Sequence, residues 1–309
     1  MLTMSRNLSE RRITTARGQH EGRRYDSIAR FARWAAAIGF ALLVGCAGFC
    51  QAAPVSPRKE VRIILVGDST MAVQSGWGPG FCALVSTKVD CVNMARSGRS
   101  SSSYRAEGAW AKVMDAFQRN GDYTATYVLI QFGHNDQPGK PGRSTDLATE
   151  FPANLKRYAD EVRSTGAKPV LVTPLERRVF RAGKLSNGLG PWANATRDVA
   201  AAEHIPLLDL NTESFKTIQA MGPAEADSLA MAPPPPDVVA GEATGTSVSL
   251  PKSHAPGAPE LLPDGTDPNF KPVFDYTHLG RKGSALFGRM IAGELEVAVP
   301  DLKPYLKSN

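Results

Sequence analysis

Five short apolar runs, each closed by small or polar residues, dominate the pattern of the chain. Runs of this length and composition are typical of strands that are buried on both faces of a parallel sheet. The predicted strands lie within Val61–Thr70, Val89–Met94, Thr126–Phe132, Pro169–Thr173 and Pro206–Leu210. Because ligands gather at the carboxyl ends of such strands, the polar residues that follow them are the candidates for chemistry.

Segments with helical spacing separate or follow the predicted strands. They are Phe81–Thr87, Ala106–Arg119, Phe151–Ser164, Trp192–Glu203 and Leu279–Val297. Strands that alternate with helices at this spacing form a parallel sheet with right-handed crossovers. The pattern therefore predicts an α/β fold, a three-layer α/β/α sandwich around a five-stranded parallel sheet.

The alternation is interrupted from about residue 224 to residue 272. This range contains the proline run Pro233–Pro236 and is otherwise rich in Gly, Ser, Thr and Pro. Such a composition buries too little apolar surface to offset the entropy lost on ordering. We therefore predict a flexible insert within one catalytic domain that spans residues 54–309.

The first 53 residues have the pattern of an export signal. Arginines precede an apolar stretch at residues 34–50, and small residues at 51–53 offer a cleavage site. Leu43–Cys46 also resembles a bacterial lipobox, in which Cys46 would carry a lipid. We expect an exported protein, periplasmic or secreted, that contacts a membrane only if the leader is lipidated at Cys46 or left uncleaved.

The formal charge of +6 is concentrated in that leader. Of 36 basic and 30 acidic residues, 8 and 3 lie in residues 1–53, which leaves 28 and 27 in the rest of the chain. A body so near neutrality gives no electrostatic reason to expect nucleic acid as a partner.

Two cysteines, Cys82 and Cys91, lie beyond the leader. In an oxidising compartment they can pair as a disulfide, provided that their Cα atoms come within about 7 Å of each other. Two buried thiols are the alternative, and the sequence does not decide between them.

Ser69, at the end of the first predicted strand, is the candidate nucleophile. A serine hydroxyl needs a base within hydrogen-bond reach, and the base needs a third group that orients it. His278 is the candidate base because Asp275 precedes it by three residues, so that one loop supplies an imidazole and a carboxylate. His134 follows another predicted strand and is the alternative base.

Three groups are expected to stabilise an oxyanion. Ser69 and Gly98 offer backbone N–H groups, and Asn135 offers a side-chain amide. Each follows a predicted buried strand, so all three should meet at one edge of the sheet. The loss of one such preorganised donor costs on the order of 3 kcal/mol of transition-state stabilisation.

Four motifs, in this order, resemble those of the Ser-Gly-Asn-His hydrolases, also called the GDSL family. They are Gly67-Asp68-Ser69-Thr70, Asn93–Gly98, Gly133-His134-Asn135-Asp136 and Asp275-Tyr276-Thr277-His278. The run GDSTMA, a following Gly-Trp-Gly, and the segments Ala95–Ser100 and Ser103–Arg105 are similar to the rhamnogalacturonan acetylesterases. The resemblance covers about residues 61–220 and 274–297.

The resemblance implies a flavodoxin-like fold and a carbohydrate esterase that removes O-acetyl groups from a polysaccharide, foremost pectic rhamnogalacturonan. Ser69 would be acylated, His278 would act as base and then as acid, and Asp275 would orient His278. Ser69, Gly98 and Asn135 would form the oxyanion hole. The implied partner is an acetylated polysaccharide or oligosaccharide, and no cofactor or metal is implied.

Further residues are candidates for contacts with the substrate or for support of the site. Arg177 and Arg178 could pair with galacturonate carboxylates, and Trp77 could offer a ring face to a sugar. We expect Asp68 to anchor the turn by hydrogen bonding and His134 to support the site.

Other functions fit parts of the sequence. A two-metal phosphoesterase would need a second Asp/His cluster, and an α/β-hydrolase would need glycine where Met71 stands. The main enzymatic alternative is an esterase that acts on xylan, on an exopolysaccharide, or on small or lipid esters. A carbohydrate-binding lipoprotein without activity is the alternative from another class.

Overall fold

The computed structural model describes residues 59–250 and 266–307. The predicted leader, with Cys46, and part of the predicted insert lie outside these residues. Within the described ranges, no helix combines the length and apolar character needed to cross a membrane.

The described chain alternates strands with helices from its first strand onward. The strands are β1 (Val61–Gly67), β2 (Val89–Asn93), β3 (Ala125–Gln131), β4 (Lys168–Val172), β5 (Phe180–Arg181), β6 (Lys184–Leu185) and β7 (Leu207–Leu208). The helices are α1 (Gly78–Cys82), α2 (Ser103–Ala106), α3 (Ala109–Ala116), α4 (Glu150–Ser164), α5 (Gly190–Ala202), α6 (Leu210–Asp227), α7 (Pro236–Glu242) and α8 (Arg281–Ala298). Two 3₁₀ segments follow α3 and α8, at Phe117–Asp122 and Pro300–Tyr305.

Five of the strands form one sheet in the order β2-β1-β3-β4-β7, and every pair in it is parallel. Helices flank the sheet, so the predicted α/β sandwich with a five-stranded parallel sheet is confirmed. The remaining two strands, β5 and β6, form a small antiparallel hairpin.

The alternation of side chains along β1 explains why helices cover both faces of the sheet. Ile63 and Leu65 belong to one apolar cluster with residues of α1 and α8, whereas Ile64 and Val66 belong to a second cluster with residues of α3 and α4. All four side chains have no exposed surface. A strand that is buried on both faces reads as an unbroken apolar run, as β1 does.

Several helices differ from the sequence prediction. The predicted helix Ala106–Arg119 is broken at Gly108, whose φ of +80° belongs to the left-handed region that favours glycine. The first helix begins three residues before Phe81, where Pro79 occupies a first-turn position that proline tolerates. Helix α6 was not predicted.

The range predicted as a flexible insert contains structure where it is described, which differs from the prediction. Helix α7 lies within it, and its Val238 is 1% exposed. The N–H of Ser247 donates to the carbonyl of Phe180 at 3.0 Å, so this segment pairs with the hairpin. The prolines end at the start of α7, with Pro236 in its first turn, where no N–H is needed. The described part of the segment is therefore packed and hydrogen-bonded.

Cys82 at the end of α1 and Cys91 in β2 form a disulfide, with their Cα atoms 5.7 Å apart. The sequence did not decide between a disulfide and two buried thiols, and the structure contains the disulfide. In the chain-entropy account, closing a loop of this size stabilises the fold by about 3 kcal/mol.

Helices α1 and α8 cross at a point where glycine is needed on both sides. A Cβ added to Gly288 would overlap the backbone of Gly80 and Phe81, and one added to Gly80 would overlap the carbonyl of Ser284. The N–H of Gly80 also donates to the hydroxyl of Ser284 at 3.1 Å. The close approach fixes α8, which follows the loop that carries His278.

We expect Gly288→Ala to destabilise the protein by about 1 to 3 kcal/mol, because the methyl group forces two backbones apart. Gly293→Ala, in the same helix, is the control. A Cβ there meets nothing within 4 Å, so the change should be neutral or stabilise by up to about 1 kcal/mol. Urea unfolding of both variants tests this, and equal midpoints would contradict it.

Candidate active site

The turn after β1 holds Ser69 at the carboxyl edge of the sheet. Asp68 is fully buried, and its Oδ1 accepts hydrogen bonds from the N–H (2.9 Å) and the hydroxyl (2.8 Å) of Thr70. The carbonyl of Ser69 accepts a bond of 2.7 Å from the hydroxyl of Ser75. Asp68 therefore lies where it anchors the turn, as expected from the sequence.

His278 bridges Ser69 and Asp275. The distance from His278 Nε2 to Ser69 Oγ is 2.8 Å, and the distance from His278 Nδ1 to Asp275 Oδ2 is 2.6 Å. With the proton on Nδ1, the ring donates to the carboxylate and accepts the serine proton at Nε2. This is the arrangement in which a histidine activates a hydroxyl as a nucleophile.

The carboxylate of Asp275 also organises its own loop. Its Oδ1 accepts the N–H groups of Thr277 and His278, both at 2.7 Å. Burial would raise the pKa of Asp275, but the hydrogen bonds and charge of His278 outweigh it and lower the pKa to about 2. Because the pKa is depressed, this carboxylate stabilises the fold above its ordinary pKa of 3.8, and the contribution is lost as the pH falls toward 2.

The loop that carries Gly98 is hydrogen-bonded to the end of β1, which precedes Ser69, and the loop that carries Asn135 is hydrogen-bonded to the Gly98 loop. The N–H of Arg96 donates to the carbonyl of Gly67 at 2.8 Å, and the amide of Asn135 donates to the carbonyl of Arg99 at 3.1 Å. Gly98 has a φ of +78°, which a residue with a side chain rarely adopts.

The backbone N–H groups of Ser69 and Gly98, both at this edge, have no acceptor within the described residues. Asn135 gives one of its two amide hydrogens to Arg99 and keeps the other. Donors of this kind are what a developing oxyanion requires.

Asp136 is a structural residue of the site that the sequence analysis assigned no role. It is fully buried, and its Oδ1 accepts from the N–H (3.0 Å) and the hydroxyl (2.6 Å) of Ser101 and from the hydroxyl of Thr145 (3.0 Å). Burial raises its pKa to about 6, although these hydrogen bonds oppose the shift. The sequence signals for this role are the position of Asp136 directly after Asn135 and the serine run at 100–103, which supplies hydrogen-bond donors to it.

His134 does not contact the nucleophile by a hydrogen bond. It is 3% exposed, and its Nδ1 faces Asp68 Oδ2 at 3.4 Å. Burial lowers its pKa, although the charge of Asp68 opposes the shift. Its placement fits the predicted support role better than that of the base. In the part of the chain that the structure describes, no group of three or more His, Cys, Asp or Glu side chains is placed to hold a metal ion.

Two predicted substrate contacts need correction. Trp77 has no exposed surface, and its Nε1 donates to Oε1 of Gln131 at 2.8 Å, so it has no free face for a sugar. Arg178 is also fully buried and donates to backbone carbonyls, so it does not meet a carboxylate of a bound polymer. Arg177 is partly exposed and lies within electrostatic reach of Asp68 and Asp275.

Comparison with known proteins gives a consistent set of relatives. The model of the GDSL-like Lipase/Acylhydrolase family matches residues 65–233. The chain is 30% identical over 259 residues to rhamnogalacturonan acetylesterase RhgT of Bacillus subtilis, covering 81% of this chain and 96% of that protein. It is 31% identical over 161 residues to the probable rhamnogalacturonan acetylesterase YesY of the same organism, covering 50% of this chain and 72% of that protein.

A solved structure supports the fold. The protein YxiM of Bacillus subtilis aligns with a TM-score of 0.54 at 22% identity, over 78% of this chain. The alignment covers 57% of the YxiM chain, so this chain spans little more than half of its length.

We expect Asp275→Asn to lower kcat on p-nitrophenyl acetate by about 10³- to 10⁴-fold, because an amide favours the wrong tautomer of His278.

Ser69→Ala should abolish turnover and also abolish labelling by a fluorophosphonate, read by mass spectrometry on the peptide that contains residue 69. Ser164→Ala, on the exposed end of α4, is the matched control. Substantial turnover by the Ser69→Ala variant would assign the nucleophile elsewhere.

Proposed function

Because the chain belongs to the GDSL-like lipase/acylhydrolase family and is a serine ester hydrolase, we propose that it removes O-acetyl groups from carbohydrates, with rhamnogalacturonan as the substrate. The observation that carries the proposal is the 2.8 Å contact between Ser69 Oγ and His278 Nε2. This contact joins Ser69 in the first motif to His278 in the last motif, and these are two of the motifs through which the sequence resembles acetylesterases.

The proposed reaction begins when Ser69 Oγ attacks the acetyl carbonyl and passes its proton to His278 Nε2. The negative charge that develops on the carbonyl oxygen is stabilised by the N–H groups of Ser69 and Gly98 and by the amide of Asn135. His278 then gives the proton to the departing sugar oxygen, and an acetyl-serine remains. Water, deprotonated by His278, attacks this ester and releases acetate and free Ser69.

The charges around the site support an anionic substrate. Lys140, Arg143 and Arg177 interact electrostatically, and within the described residues none of them pairs with a carboxylate at ion-pair distance. Burial, followed by the charges of Arg177 and Arg143, lowers the pKa of Lys140 to about 8, although the charges of Asp68 and Asp136 oppose the shift. Clustered cations that form no direct ion pair favour the binding of an anion.

Two of these cations, Lys140 and Arg143, lie beside the proposed oxyanion hole. Lys140 donates to the carbonyl of His134 and approaches Oδ1 of Asn135 at 3.5 Å. Arg143 donates to the carbonyl of Gly98 at 3.2 Å. A uronate next to an acetylated sugar would bring its carboxylate to this cluster, whereas acetylated xylan backbone would not. This is the reason that we propose rhamnogalacturonan over xylan.

We also propose that the protein acts outside the cytoplasm, since a polymeric substrate does not cross the membrane. The composition of residues 1–53 supports export. The Cys82–Cys91 disulfide supports it as well, because such bonds persist in oxidising compartments.

We expect Arg177→Gln to lower kcat/KM for acetylated rhamnogalacturonan by about tenfold, the loss of one charge-assisted hydrogen bond of about 1.5 kcal/mol. For acetylated xylan and p-nitrophenyl acetate it should stay within about twofold, since neither bears a carboxylate at that place. Lys112→Gln, an exposed lysine on α3, is the control. Acetate release on the three substrates is the measurement. Equal losses on all three, or xylan as the preferred polymer, would contradict the proposal.

A further inference from the structure

Arg178, which the sequence analysis placed at the substrate, is joined instead to the loop that carries His278. Its guanidinium donates to the carbonyls of Asp275 (2.6 Å), His278 (3.0 Å) and Thr277 (3.4 Å). Its own N–H donates to the carbonyl of Tyr276 at 2.8 Å. Arg178 therefore donates hydrogen bonds to the backbone of four successive residues of the loop. Its buried side chain is not available to a substrate.

The loop needs such a donor because it is not part of a helix or strand. Asp275 Oδ1 accepts the N–H groups of Thr277 and His278. The carbonyl groups of the loop still need hydrogen-bond donors. A buried carbonyl without a donor costs about 1 to 3 kcal/mol. A guanidinium presents five N–H groups in one plane and so serves several carbonyls at once, which a lysine ammonium does with less fixed geometry.

The guanidinium keeps its charge although it is buried. Burial lowers the pKa of Arg178 to about 10, while the carboxylates of Asp275 and Asp227 favour the charged form. Asp227 ends α6 and interacts with Glu242 of α7. The charge balance of Arg178 thus involves the segment in which the sequence predicted a flexible insert.

Residues 178–180 are also hydrogen-bonded to Ser247, which lies in that segment. The hydroxyl of Ser247 donates to the carbonyl of Arg178 at 3.4 Å, and the N–H of Phe180 donates to the Ser247 hydroxyl at 3.0 Å. Arg178 therefore lies between Ser247 on one side and the 275–278 loop on the other.

We propose that Arg178 is a positioning residue that fixes the backbone of residues 275–278 and thereby keeps His278 Nε2 at hydrogen-bond distance from Ser69. It touches no reacting atom and acts through His278. The inference rests on the proposed function only in so far as Ser69 and His278 perform ester hydrolysis, and not on the identity of the sugar.

The test compares Arg178→Ala and Arg178→Lys with the unmutated protein on p-nitrophenyl acetate. We expect Arg178→Ala to lower kcat by about 100-fold, the scale of a misplacement of about 1 Å at the reacting groups, with KM changed by less than about threefold. Arg178→Lys should recover about a tenth of the lost kcat, because an ammonium replaces the charge but not the planar set of donors. Arg181→Ala is the matched control, since Arg181 is an exposed arginine three residues further along, in β5.

Chemical rescue separates positioning from stability. Added guanidinium chloride, well below the concentration that unfolds the protein, should raise kcat of Arg178→Ala several-fold and leave the unmutated enzyme unchanged. A variant that was only destabilised would lose activity in guanidinium.

The inference is overturned if Arg178→Ala retains full kcat, if guanidinium gives no rescue, or if Arg178→Lys does not fold, since a non-folding lysine variant assigns the residue to stability. An unmutated protein without esterase activity would instead overturn the proposed function. The two failures are therefore distinct.

Discussion

The parallel pairing of β1 with β2 and β3 fixes where the loops of the site begin. Leu65 pairs with Asn93, and Gly67 pairs with Gln131, so three neighbouring strands end within a few residues of one another. A slip of one residue would move every apolar side chain to the opposite face. Since β1 packs into a separate apolar cluster on each side, this register is held from both sides. The loops therefore start from a rigid base.

Buried charged side chains extend that rigidity into the loops. Asp68 closes the turn after β1, Asp136 joins the two loops beyond β2 and β3, and Arg178 holds the loop before α8. Each of the three is fully buried and is paired chiefly with polar groups of the chain, which removes most of the cost of burying a charge. The loops of the site are thus held by hydrogen bonds of these three charged side chains, and the strength of those bonds depends on their geometry as well as on the charge.

Much of the fold follows from the sequence because it depends on periodicity, which a single chain displays. The five parallel strands and the places of Ser69 and His278 belong to this part, since each is marked by an apolar run or a recognisable motif. The direction of a side chain does not. Arg178 and Trp77 look in the sequence like surface residues beside the site, and only the packed structure turns them inward. Helix α7 differs from the prediction for a related reason, because the burial of Val238 is not visible in a proline-rich composition.

The contact between Ser69 and His278 spans 209 positions of the chain. A ribosome has made most of the polypeptide before the imidazole that contacts this hydroxyl exists. Until the last helix has docked, the early strands present an ordinary alcohol with no more reactivity than any other serine. The pair is therefore completed late in synthesis, and a product that ends before residue 278 lacks it.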